Sequence, residues 1–112
     1  MNKPERLQVS EQEWQQVDAI LQQYLPQVPV WAFGSRVHGK AKPYSDLDLA
    51  IISEQPLSLS QLAEIAEAFS ESDLPWKVDL VDWASTSADF RRIIAAQKLV
   101  LPSKETSKDS HA

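Results

Sequence analysis

The chain has 112 residues, with 43% hydrophobic and 24% charged side chains, enough for one core and too short for two. It has no cysteine and two histidines, which excludes disulfides, thiolate nucleophiles and cysteine-based zinc sites and leaves oxygen as the main metal donor. A net charge of −5 argues against broad binding to nucleic acid or anionic lipid; no apolar run approaches the roughly 20 residues of a membrane span, and Met1–Glu11 lacks a signal-peptide core, so a cytoplasmic protein is expected.

Ser10-Glu11-Gln12-Glu13 fits a capping box, and Trp14, Val17, Leu21, Tyr24 and Leu25 follow at helical spacing, predicting a helix over 11–25 that Pro26 stops. Residues 28–33 read as a buried strand with Pro29 near its start, ended by Gly34-Ser35. A loop over 36–45, with room for a helical turn, carries Arg36, His38, Lys40 and Lys42 and no acid. Residues 46–52 alternate: Leu47, Leu49 and Ile51 face one way, Asp46, Asp48, Ala50 and Ile52 the other. Ser58 or Ser60 caps a helix over 60–71, with Leu62, Ile65, Ala66 and Phe69 on one stripe. Trp76–Trp83 reads as a third strand, with Val78, Leu80 and Asp82 on one face and Lys77, Asp79 and Val81 on the other. Ser85 or Ser87 caps a further helix with Phe90, Ile93, Ile94 and Gln97 on one side, and Leu99–Leu101 forms a short fourth strand or a helix end. The expectation is one α/β domain over 1–101, helices packed mainly on one face of a small sheet of three to four strands, and a polar, disordered tail over 102–112.

Two carboxylates one residue apart on a strand share a face, so Asp46 and Asp48 can reach the same hard cation. A plain solvated face would also place polar residues there, but Asp is disfavoured in strands, and Asp79 in the next strand can complete a cluster. Asp82 points to the opposite face and is left out. Gly34 permits close approach of the backbone to a ligand, and the Ser35 hydroxyl and following amides can donate to phosphate. A phosphate-binding turn, a basic loop and clustered carboxylates together suit phosphoryl or nucleotidyl transfer from a magnesium-bound nucleoside triphosphate.

Gly34-Ser35, ten intervening residues and Asp46-Leu47-Asp48 resemble the signature of the DNA polymerase β-like nucleotidyltransferases. Gly34-Ser35-Arg36, Gly39 and Ser45-Asp46-Leu47-Asp48-Leu49 look like its minimal nucleotidyltransferase (MNT) group, and Val78-Asp79-Leu80-Val81 resembles the strand bearing the third carboxylate. The resemblance spans about residues 28–82 and implies a mixed sheet. It implies that Gly34 and Ser35 hold the triphosphate, that Arg36 contacts phosphates or braces the loop, and that Asp46 and Asp48 bind two magnesium ions. Asp79 would bind the catalytic metal and help activate the attacking hydroxyl. His38 receives no role.

The strands and their helices use nearly the whole chain, so the acceptor is expected from a partner chain or a second copy. Small proteins of this type resemble the antitoxin half of HEPN/MNT toxin–antitoxin pairs. That implies magnesium-dependent transfer of AMP from ATP to a tyrosine hydroxyl of a HEPN RNase, within a hetero-oligomer and with no direct nucleic-acid binding. An antitoxin that only binds, and a small-molecule nucleotidyltransferase completed by another subunit, are the alternatives. Of the four tryptophans, Trp31 is expected in the core. Trp83, near a strand end, is placed in the core or at the surface as a partner anchor.

Overall fold

Three serines set where the long helices begin. Helix α1 (Glu11–Tyr24) starts at Ser10, whose hydroxyl accepts from the Glu13 amide at 3.1 Å while the Glu13 carboxylate accepts from the Ser10 amide at 2.8 Å. Helix α3 (Leu59–Ser70) starts at Ser58, with Gln61 closing the same reciprocal pair. Helix α4 (Ala88–Gln97) starts at Ser87, whose hydroxyl accepts from the Phe90 amide. Ser58 and Ser87 are thus the caps among the two pairs the sequence left open. Each such cap is worth about 1 kcal/mol. The computed structural model describes residues 2–102; the expected tail lies, Pro102 aside, outside the described residues.

Between the helices run β1 (Val30–Phe33), a four-residue helix α2 (Ser35–His38), β2 (Leu47–Ile51), β3 (Val78–Asp82), a 3₁₀ turn (Trp83–Ser85) and β4 (Leu99–Val100). The sheet is mixed, in the order β3-β2-β1-β4. β1 is antiparallel to β2 and β4, whereas β2 and β3 are parallel and need the α3 crossover that joins them. Asp46 lies just before β2, Pro29 just before β1, and Trp83 just after β3.

Alternation along β1 and β2 decides what covers each face. Val30, Ala32, Leu47, Leu49 and Ile51 turn toward Trp14, Val17 and Leu21 of α1 and Ile65 and Phe69 of α3, forming the main core. Burying each large apolar side chain there contributes roughly 1.5–3 kcal/mol. Phe33 and Ala50 turn the other way and are closed by Ile94 of α4, with Trp31, Ile52, Val81 and Trp83 packed around them. The helices therefore cover both faces, α1 and α3 on one and α4 on the other. The expectation that helices pack mainly on one face holds for α1 and α3; α4 covers part of the other because Phe33, Ala50 and Ile52 make half of that face apolar. Trp31 and Trp83 belong to this second cluster: both are half-buried, edge to face with ring centroids 5.0 Å apart. Trp31 is thus less enclosed than a central strand suggested, and the Lys98 ammonium sits 4.1 Å above its ring.

Candidate active site

Strand register brings the predicted carboxylates together. Phe33 pairs with Asp48, and Asp48 with Asp79, so the two carboxylates are neighbours across the parallel β2/β3 ladder and Gly34 follows beside them. Gly34 has φ +82°, in the left-handed region that glycine alone enters cheaply. A Cβ built on it would run into the Asp48 carboxylate, so any side chain here would push aside the group that the turn approaches. The Gly34 carbonyl accepts from the Val37 and His38 amides at 3.0 and 3.2 Å. This leaves the first-turn amides of Ser35 and Arg36 without helical partners, as at any helix start. Gly39, at φ +87°, ends α2 in the left-handed conformation.

Two negative charges act on Asp48. Its carboxyl is pushed up from 3.8 to about 6, first by burial and then by the charges of Asp79 and Asp46. From the described residues no hydrogen bond reaches that carboxylate, so nothing offsets its desolvation. Asp46 and Asp79 are exposed. Asp82 does not join them. Its Oδ2 accepts from the Leu57 amide at 3.3 Å and the Ser85 hydroxyl at 2.9 Å, which ties β3 to the start of α3 and to the 3₁₀ turn.

Arg36 is the one buried charged side chain among the described residues. Its Nε donates to the Ser45 carbonyl at 2.8 Å, Nη1 to Gln8 at 2.8 Å, and Nη2 to Lys42 at 3.3 Å and Pro43 at 3.1 Å. Its guanidinium carbon sits 4.5 Å over the Trp76 ring. Of the two roles left open by the sequence, this geometry is that of a brace. The fork fixes residues 42–45, the segment that delivers Asp46, and spends its donors on main-chain carbonyls rather than presenting them to a phosphate. Burial lowers its pKa, against the opposing charges of Glu13 and Asp46. His38, Lys40 and Lys42 are exposed.

Among the described residues, no three His, Cys, Asp or Glu side chains form a ready-made metal cage. The donor set nonetheless fits magnesium, which takes one or two carboxylates and completes its shell with water and substrate phosphates. Asp48, half-buried and uncompensated between two acids, is the kind of group a divalent cation would neutralise. Gln97, Trp76 and Gln8 contact the candidate site residues Gly34 and Arg36, and sequence reasoning gave them no part in the site. Gln97 Oε1 accepts from the Gly34 amide at 3.1 Å, and its place beside Phe90, Ile93 and Ile94 on one helix side was the available signal.

A glycine turn against paired strand carboxylates in this mixed sheet is the candidate site. The family model described as "Polymerase beta, Nucleotidyltransferase" matches residues 15–107, and the chain belongs to that family. Over 100 residues it is 59% identical to "Probable protein adenylyltransferase MntA" of Haemophilus influenzae, covering 89% of this chain and 88% of that protein. A crystal structure of a toxin–antitoxin with AMP-PNP matches with TM-score 0.68 and 25% identity, over 85% of this chain and 77% of that one. A chain from the tri-AMPylated Shewanella oneidensis HEPN toxin in complex with MNT antitoxin matches with TM-score 0.63 and 24% identity, over 88% and 76%, a likeness of fold.

Proposed function

We propose that this nucleotidyltransferase is a cytoplasmic antitoxin that silences a HEPN RNase toxin by transferring AMP from ATP to a toxin tyrosine hydroxyl, with magnesium. The observation that carries the reading is Gly34 seated against Asp48, with Asp79 opposite Asp48 in register. The 59% identity to a protein named as an adenylyltransferase supports it, as does the name of the toxin–antitoxin structure matched at 25% identity, which holds an ATP analogue.

In this reading the amides and hydroxyl of the Gly34–Ser35 turn bind the triphosphate and orient it. Asp46 and Asp48 would hold magnesium together with the phosphates, and Asp79 would share it; when bound, the metal supplies positive charge against the triphosphate. A tyrosine hydroxyl, with a pKa near 10, is a weak nucleophile at neutral pH, and Asp79 helps withdraw its proton. The tyrosine oxygen then bonds to the α-phosphorus, the α–β phosphoanhydride breaks, and pyrophosphate leaves. Arg36 contributes by holding the segment before Asp46.

The test is catalytic stoichiometry. With ATP and magnesium, a small amount of this chain should inactivate a molar excess of its HEPN partner, which should gain mass in steps of about 329 Da, one AMP per step. The Asp46→Ala/Asp48→Ala double variant should do neither. If that variant protects equally well, and only at equimolar amounts, neutralisation is by binding and the proposal fails.

A further inference from the structure

Strand β4 pairs with β1 through two positions, Trp31 opposite Val100 and Ala32 opposite Leu99. Continuing the antiparallel register places Phe33 opposite Lys98 and Gly34 opposite Gln97. At Gln97, however, the chain is still helical, as the last residue of α4, so no strand carbonyl faces the Gly34 amide. A buried or half-buried amide without an acceptor costs about as much as a lost hydrogen bond. The Gln97 side chain fills that place, its Oε1 accepting from Gly34 N at 3.1 Å across 63 positions of sequence. The helix end that carries it is itself fixed. Ile94, one turn earlier, is fully buried against Phe33 and Ala50, and Phe90 meets Phe33 edge to face at 6.0 Å.

We infer that Gln97 is the positioning residue of the nucleotide-binding turn. Its side-chain oxygen extends the β1/β4 ladder by one bond and holds Gly34 in its left-handed conformation against Asp48. With the Gly34 carbonyl engaged by α2 and its amide engaged by Gln97, the peptides on both sides of Gly34 are set before any phosphate arrives. This rests on the reading of Gly34–Ser35 as the triphosphate turn.

The chain has two glycines, so selective ¹⁵N-glycine labelling yields two amide signals, Gly34 and Gly39. In Gln97→Met and Gln97→Ala the Gly34 signal should move and exchange faster with solvent while Gly39 stays. Gln97→Glu, which keeps the acceptor oxygen, should retain the Gly34 signal in the nucleotide-free chain. Magnesium–ATP affinity by calorimetry should fall about five-fold in Gln97→Met, the worth of one hydrogen bond, with KM for ATP raised and kcat held in the transfer assay. An unmoved Gly34 signal in both Gln97→Met and Gln97→Ala, or an unchanged Kd, overturns the inference while leaving the proposed function standing. A wild-type chain that binds no magnesium–ATP removes the functional reading and this inference with it.

Discussion

Replacing Asp48 by Asn should stabilise the metal-free chain while abolishing transfer. The carboxyl is pushed from 3.8 to about 6 by burial and by Asp79 and Asp46, so the folded state holds its proton more tightly than the unfolded state does. Well below pH 3.8 both states are protonated and Asp48 costs nothing. As pH rises through 3.8 to 6 the unfolded state ionises more readily, and folding stability falls until both states are charged. The whole displacement corresponds to ~3 kcal/mol; because the side chain is only half-buried, solvent screening leaves ~1–2 kcal/mol. Asn keeps the shape beside Gly34 and removes the charge. For a domain of this size that gain amounts to roughly 5–10 °C in Tm at pH 7.5. Thermal melts of wild type and Asp48→Asn in chelator, without nucleotide, at pH 7.5 and pH 4.0 measure it. The gain should be present at the higher pH and shrink to about a fifth of itself at the lower. A lower Tm for the variant at pH 7.5, or an equal difference at both pH values, would refute the electrostatic account and make Asp48 a structural residue.

Gly34→Ala should both inactivate and destabilise, since its Cβ runs into the Asp48 carboxylate and its φ is positive; a loss of about 1–3 kcal/mol is expected, read by urea titration. Arg36→Ala should cost about 3 kcal/mol or more by stranding carbonyls that now receive a charged donor, and Arg36→Lys should not rescue it, because an ammonium cannot reproduce the fork; denaturant midpoints distinguish the two. Calorimetry should find that wild-type ATP binding depends strongly on magnesium and that Asp48→Ala loses the dependence; equal affinity with and without metal would count against the carboxylate assignment.

What the sequence made legible was local. Ser10 with Glu13 predicts a reciprocal cap from four consecutive residues, and Leu47, Leu49 and Ile51 declare their face by a two-residue period. The Asp48–Asp79 pairing needed only that two predicted strands be neighbours. Arg36 was ambiguous for a physical reason: all four of its acceptors are main-chain carbonyls, and a carbonyl carries no residue-type signature. Its stacking partner Trp76 lies 40 positions away along the chain, where no periodicity links the two. Ser58 over Ser60 was decidable in principle, since Gln61 stands three residues after Ser58 and so completes the capping pattern.

The second sheet face explains the site's electrostatics and the placement of α4 together. Along β2 that face carries Asp48 and then Ala50, and along β1 it carries Trp31 and Phe33 before the chain turns at Gly34. Its two halves therefore need opposite environments, cover for Phe33 and Ala50 and an opening for Asp48. Helix α4 meets both demands by ending where the face changes character: Ile94 closes the apolar half, and Gln97, one turn later, reaches the glycine turn. The residues that close the core thus stop beside the carboxylates, which leaves Asp48 partly desolvated by the neighbouring apolar cluster yet open to a ligand. An alternation rule assigns each strand residue to a face but does not divide a face along its length. The division comes from where α4 ends, and the raised pKa of Asp48 is its electrostatic consequence.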